Sequence, residues 1–121
     1  MIKLTFCLVR RPEFTRESFQ KYWLETHGPL VAGVKETLRI RRYIQTHSLG
    51  VETEAEMRRV RGGPEGYDGV AELWWDSFDD ITAGADDPAV REAGRLLLED
   101  ERKFIDLSKS PLWWGVEHQI I

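Results

Sequence analysis

His27 is the side chain in this sequence that is best suited to proton transfer. An unperturbed imidazole titrates near pH ~6.5, so it can accept or donate a proton at neutral pH without strong tuning. Gly28 and Pro29 follow it directly, and this pair predicts an interruption of a helix at which the imidazole can turn into a cavity. A histidine that caps the interrupted helix is the alternative, so an acid–base or ligand role and a structural role both stay open.

Two aromatic residues precede His27 on the same predicted helix. Tyr22 and Trp23 lie five and four residues before it, and side chains four residues apart share a helical face. A phenol and an indole can flank an aromatic ligand and donate hydrogen bonds to it. Core packing is the alternative for both residues, and it is the stronger of the two for Trp23.

Two carboxylates and two further histidines complete the set of candidates. Asp68 precedes a glycine at the start of a predicted strand, where stabilisation of a turn is the alternative to a catalytic role. Asp100 lies on the inner side of a predicted helix, where a carboxylate needs a partner, and it could hold His27 in one tautomer. His47 and His118 lie in or near predicted strands, and we expect neither to be catalytic.

No metal or cofactor motif accompanies these groups. Cys7 is the only cysteine, and no two of the three histidines have the i, i+4 spacing of a helical metal site. We therefore expect no metal and no cofactor. A histidine-based metal site and a haem with an axial histidine stay as alternatives.

The composition is that of one globular domain over residues 1–121. Hydrophobic residues make up 41% of the chain and charged residues 31%, which argues against a disordered chain. The net charge of −4 predicts no nucleic-acid partner, and no apolar run approaches the ~20 residues that span a bilayer. The first residues lack the features of a signal peptide, so we expect a cytoplasmic protein.

The periodicities predict a ferredoxin-like fold of the α+β class. We expect strands over residues 2–10, 38–48, 70–75 and 112–121, a bent helix over 15–37, helices that begin at 78 and run over 88–107, and a long loop over 50–67 with a possible helical turn at 54–60. The order βαββαβ predicts a four-stranded antiparallel sheet with helices on one face.

Two tryptophan pairs, at 74–75 and 113–114, predict a second copy of the chain. Neighbours in a strand point to opposite faces of the sheet, so each pair predicts apolar surroundings on both faces. Monomers rarely expose such a patch. We therefore expect a homodimer in which two sheets pair face to face.

Four blocks of the chain, in order, resemble one family. Phe19, Tyr22 and Trp23, followed by the run 27–30, resemble an F-x-x-Y-W…H-G-P-L signature. Residues 68–74 resemble a D-G-x-A-E-L-W strand, residues 100–106 a D-E-x-x-F-x-D helix, and residues 117–118 fall in the closing strand. This pattern is similar to that of the EthD family of the dimeric α+β barrel superfamily. The resemblance implies a ferredoxin-like protomer, a dimer, and a cavity between each sheet and its helices.

The resemblance also implies a range of activities. The family includes a protein linked to degradation of a branched ether and polyketide-tailoring dehydratases or decarboxylases, and related barrels include cofactor-free lactone isomerases and quinone-forming monooxygenases. We therefore expect a small enzyme for proton-transfer chemistry, namely dehydration, decarboxylation, isomerisation or cofactor-free oxidation. Its substrate would be a small hydrophobic, cyclic or polyketide-like molecule.

Each candidate residue has an expected role in such an enzyme. We expect His27 and Asp68 to be catalytic, Tyr22, Trp23, Trp74 and Phe104 to bind substrate, and Asp100 to orient the groups in front of it. The alternatives are a non-catalytic protein of the same fold that binds a small ligand, and a purely structural dimer.

Overall fold

The computed structural model describes residues 1–121, and its elements follow the predicted order. They are β1 (Ile2–Leu8), α1 (Arg16–Tyr22), a π turn (Trp23–His27), α2 (Gly28–Gly33), α3 (Lys35–Leu38), β2 (Arg42–His47), α4 (Val51–Arg61), β3 (Gly69–Trp75), α5 (Phe78–Thr82), α6 (Pro88–Phe104), a 3-10 turn (Leu107–Lys109) and β4 (Leu112–Gly115). The four strands form one antiparallel sheet in the order β2-β3-β1-β4. The prediction of a ferredoxin-like fold of the α+β class is therefore confirmed. No helix of the chain has the length and apolar character needed to cross a bilayer.

The helices cover one face of the sheet. In β1, the alternation that predicted a strand places Leu4, Phe6 and Leu8 on the covered face, and Leu4 pairs with Leu73 of β3. The main core cluster joins these strands to α1 and α6. Its buried members are Phe6, Leu8, Phe19, Trp23, Ala71, Phe104 and Ile105.

The first helix begins as predicted and continues differently. Thr15 caps α1, because its side chain accepts a hydrogen bond from the Ser18 amide while Ser18 accepts one from the Thr15 amide. The predicted interruption at Gly28 is wrong, since the backbone keeps right-handed helical angles through His27 and Gly28. Instead, the Gly28 amide bonds the Trp23 carbonyl in a widened π turn, a feature that is frequent at functional sites.

Three predicted element bounds are wrong for local reasons. β2 begins at Arg42 rather than at 38, because Leu38 ends α3 and Arg39 takes a left-handed conformation with φ of 59°. β1 ends at Leu8 rather than at 10. β4 has only four residues and ends at Gly115, and residues 116–121 form no regular element and lie exposed.

Most of the predicted loop over 50–67 is a helix. The sequence predicted only a possible helical turn at 54–60, which lies inside α4, because none of the residues of α4 is buried and its sequence carries no apolar stripe. The charges at its two ends interact favourably with the helix dipole, because Glu52 and Glu54 lie in the first turn and arginines lie in the last. Gly62, with φ of 64°, ends the helix in the left-handed conformation that suits glycine.

The uncovered face of the sheet is mixed rather than apolar, so the predicted apolar surroundings are wrong at its centre. There, Lys3 and Glu72 form an ion pair of 2.6 Å. Trp74 lies beside them and is buried, since the Arg42 guanidinium covers its ring at 4.7 Å and Glu117 accepts a hydrogen bond from its indole N–H. Exposed aromatic surface on this face is left at Trp113 of β4, which is 49% exposed.

Candidate functional site

An apolar cavity of about 310 Å³ lies between the covered face of the sheet and the helices. This volume is at the lower end of the range of small-molecule sites, ~300–1,000 Å³. Hydrophobic side chains form most of its wall: Leu4, Phe6, Leu8, Trp23, Val31, Leu38, Ile40, Tyr43, Ala71, Leu73, Trp75, Leu97, Leu98, Ile105 and Leu112. The remaining lining residues are His27, Gly94 and Glu101. The cavity therefore presents very few groups that can exchange a proton, and it contains no lysine or arginine.

His27 reaches this cavity from the π turn and is fixed by α6. Its Nδ1 lies 2.8 Å from Oδ2 of Asp100, and both residues are about 95% buried. Tyr22 donates its hydroxyl proton to Oδ1 of the same carboxylate at 2.6 Å. Asp100 thus accepts a hydrogen bond on each oxygen, and Lys103 adds a positive charge at 3.6 Å.

The protonation states within this triad follow from burial and hydrogen bonding. Burial lowers the pKa of His27, although Asp100 opposes this effect, so the imidazole is neutral at neutral pH. Burial alone would raise the pKa of Asp100, but the hydrogen bonds from Tyr22 and His27 outweigh it and hold that pKa below its ordinary value. Burial and the bond to Asp100 raise the pKa of Tyr22 to about 12, so the phenol stays protonated.

These states leave one basic atom facing the cavity. Because an ionised Asp100 can only accept, the Nδ1 of a neutral His27 carries the proton and donates it. His27 Nε2 then holds a lone pair, and it has no hydrogen-bond partner within the protein and is not sealed from access. The arrangement can accept a proton from a molecule bound in the cavity.

Glu101 is the second ionisable group with a clearly altered pKa at the cavity wall. It lies on α6 directly after Asp100, is partly buried, and makes no hydrogen bond or ion pair. Burial, together with the nearby charge of Asp100, raises its pKa to about 7. Tyr43 of β2 also lines the cavity; its hydroxyl accepts a hydrogen bond from Gln45 at 2.7 Å, and burial raises its pKa.

The structure brings several of the expected site residues together. Trp23 lines the cavity and stacks on His47, with ring centres 4.4 Å apart. Phe104 is fully buried behind the wall. The centre of its ring lies 5.2 Å from the ring centre of His27 and 4.9 Å from that of Tyr22. Tyr22 and Phe104 therefore support the histidine from behind rather than line the cavity, and their contact with a substrate stays a prediction.

Asp68 and Trp74 lie elsewhere. The Asp68 carboxylate accepts hydrogen bonds from the backbone amide of Arg10 at 2.8 Å and from the side chains of Arg10 and Arg16. These donors occupy it at the start of β3, outside the cavity lining. Trp74 points to the opposite face of the sheet from its neighbour Trp75, which lines the cavity. A catalytic role for Asp68 and substrate contact by Trp74 stay predictions that this geometry does not support.

Sequence reasoning assigned no role to Glu101, yet a signal for it exists. Leu97, Glu101 and Ile105 follow one another at intervals of four, and all three line the cavity. The spacing that placed Asp100 on the inner side of α6 places Glu101 there as well. Asp87 caps this helix by accepting from the Ala89 amide, and Pro88 occupies its first position, so the register of α6 is set at its start.

No group of three or more His, Cys, Asp or Glu side chains is placed to hold a metal ion.

Comparisons with known proteins agree with this fold. The chain is 27% identical, over 95% of its own length and 81% of the relative's, to the conidial pigment biosynthesis dehydratase EthD of Metarhizium robertsii. Its structure is similar to that of a protein of the ethyl tert-butyl ether d (EthD) family from Bacillus halodurans, with a TM-score of 0.62 and 19% identity over 98% of this chain and all of the other. A dimeric ferredoxin-like protein of unknown function from Bacteroides fragilis matches with a TM-score of 0.58 and 11% identity over 96% of this chain and 95% of the other.

A match to a family model identifies the family of this chain. The EthD domain model matches residues 11–108, which include the π turn with His27, the strand β3 and the helix α6. This match covers most of the sequence and most of the residues that line the cavity. The chain therefore belongs to the EthD domain family.

Proposed function

We propose that this protein is an enzyme that catalyses proton transfer on a small, uncharged, hydrophobic molecule, and that the reaction is the loss of water. The observation that carries the proposal is the buried His27–Asp100 pair, whose free Nε2 faces an apolar cavity. A neutral imidazole with a fixed tautomer is suited to remove a proton from carbon when the product anion is stabilised by a neighbouring carbonyl.

Dehydration is favoured among the expected reactions for two reasons. The relative from Metarhizium robertsii is named a dehydratase. The cavity also contains no lysine or arginine to receive a carboxylate, and Asp100 adds a negative charge behind its wall, so a substrate for decarboxylation would be bound poorly. Cyclic or polyketide-like β-hydroxy ketones combine an acidic C–H, a leaving hydroxyl and an apolar frame, and they match this lining.

We also propose that the protein is a homodimer whose sheets meet through their uncovered faces. The B. fragilis neighbour of the same fold is described as dimeric. Here the exposed Trp113, at 49%, supplies apolar surface on the same face as the Lys3–Glu72 pair. Sedimentation at micromolar concentration should give twice the mass of one chain; a single-chain mass would contradict the dimer.

The function is tested with a panel of uncharged cyclic β-hydroxy ketones, including a β-hydroxytetralone that loses water to give a naphthol. Mass spectrometry measures loss of water, and quenching of tryptophan fluorescence measures binding, since Trp23 and Trp75 line the cavity. We expect turnover by the wild-type protein and a loss of about 10²–10⁴-fold in His27→Ala, the range for removal of a general acid or base.

His118→Ala is the matched control, because His118 is exposed and lies outside the cavity. It should retain the wild-type rate. Turnover that survives unchanged in His27→Ala would overturn the role of His27. Saturable binding without product would overturn the enzymatic proposal in favour of a non-catalytic ligand-binding protein.

A further inference from the structure

Glu101 differs from the other carboxylates of its helix in having no partner. Glu99 forms an ion pair with Arg95 on the outer surface, and Asp100 accepts from Tyr22 and His27. Glu101 makes neither a hydrogen bond nor an ion pair, although it is partly buried and lines the cavity. An unpaired carboxyl in an apolar wall destabilises a fold, so packing gives no reason for its presence.

Glu101 is part of the wall of the cavity, together with residues on either side of it in the sequence. Leu97 lies one turn before it on α6, Ile105 directly follows the end of this helix, and both line the same wall. The titratable groups of the wall come from three elements: His27 from the π turn, Tyr43 from β2 and Glu101 from α6. Asp100 lies next to Glu101 but behind the wall, bonded to His27.

From this geometry we infer that Glu101 is a second catalytic residue, which protonates the departing hydroxyl while His27 removes the proton from carbon. The inference rests on the proposed function. His27 Nε2 takes the proton as the C–H bond breaks, and the electron pair of that bond passes into an enolate of the neighbouring ketone, which can take a proton back or form the new C=C bond. The C–O bond breaks as its oxygen receives the Glu101 proton, so water leaves. His27 is then protonated and Glu101 ionised, and transfer of one proton between them, through the released water, restores both.

The raised pKa of Glu101, about 7, is consistent with this role, because a useful fraction of the carboxyl stays protonated at neutral pH. The lowered pKa of His27 leaves the imidazole unprotonated over the same range. The two pKa shifts together predict a reaction rate that falls at acid pH, because His27 becomes protonated. The rate should fall again above about pH 7, because Glu101 ionises.

The test compares Glu101→Gln with Glu99→Gln on the panel member that the wild-type protein turns over fastest. Glu101→Gln preserves the shape of the side chain but cannot donate a carboxyl proton. We expect kcat to fall about 10²–10³-fold, binding measured by tryptophan quenching to change less than about threefold, and the residual rate to lose its fall above about pH 7. Glu99→Gln should keep the wild-type rate and pH profile.

The outcomes separate this inference from the function beneath it. A wild-type rate in Glu101→Gln, or a slower variant that keeps the fall above neutral pH, would overturn the role of Glu101 and leave His27 as the base. A wild-type protein that turns over no member of the panel would overturn the proposed function, and the inference falls with it.

Discussion

Replacing Glu101 by glutamine should stabilise the protein, and only at neutral and alkaline pH. The ordinary pKa of this carboxyl, 4.5, is raised to about 7 in the folded chain. The folded state therefore binds more protons than the unfolded state between these values, and the stability associated with the protonated carboxyl is present below 4.5 and lost as the pH rises through about 7. Glutamine has no charge to bury, so the variant avoids that loss.

The size of the effect follows from the same pKa difference. At about 1.4 kcal/mol per pKa unit, the stability that the wild-type protein loses when Glu101 ionises reaches at most about 3.5 kcal/mol. We expect Glu101→Gln to be more stable than the wild-type protein by about 2 kcal/mol at alkaline pH, because the carboxyl keeps some access to water. The free energy of unfolding, measured by urea titration with tryptophan fluorescence, should be similar for both proteins near about pH 5 and higher for Glu101→Gln near about pH 8.

Glu99→Gln is again the control. It loses only an exposed ion pair, so its free energy of unfolding should differ from that of the wild-type protein by less than about 0.5 kcal/mol at either pH. His27 and Asp100 titrate in both proteins, so the difference between them reports on Glu101. Equal stabilisation at both pH values, or none near about pH 8, would refute the reasoning that the carboxyl is buried without a partner.

Other substitutions test the geometry around the histidine. Asp100→Asn leaves one oxygen for two donors, so we expect His27 to lose its fixed tautomer and kcat/KM to fall about 10²–10⁴-fold. Tyr22→Phe leaves the His27 contact in place, so its kcat/KM should fall less than about tenfold. ¹⁵N spectra of the histidines check the tautomer, and equal rates for the two variants would contradict this expectation. Gly69→Ala should lower the free energy of unfolding by about 1–3 kcal/mol, because a Cβ there would overlap the Trp23 indole; a wild-type urea midpoint would contradict it.

The fold was largely predictable because its main elements carry strong local signals. β1 alternates apolar and mixed residues, and Asp87 with Pro88 marks the start of α6. The helix α4 was not predictable in this way, because it packs no buried face on the core. The π turn also escaped prediction, since the Gly28-to-Trp23 bond that defines it depends on how the helix packs rather than on the residues alone.

The residues of the candidate site were predictable, and a contact between Asp100 and His27 was among the expectations, but its geometry was not predictable. His27 and Asp100 each carried a signal, the first as a titratable group beside a glycine and the second as a carboxylate on an inner helical face. Their contact joins residues that are 73 apart in sequence, and only the packing of α6 against the π turn brings them together. Glu101 carries the same spacing signal as Asp100, and the absence of a partner becomes visible only in three dimensions.

Hydrogen exchange at carbon tests the central claim most directly. The protein is incubated in heavy water with the β-hydroxytetralone, and deuterium at the carbon next to the ketone is measured by mass spectrometry in recovered substrate and product. We expect the wild-type protein to incorporate deuterium at this carbon, and His27→Gln to do so about 100-fold or more slowly. Incorporation at the same rate in His27→Gln, or none with either protein, would contradict the account that His27 transfers a proton in this cavity.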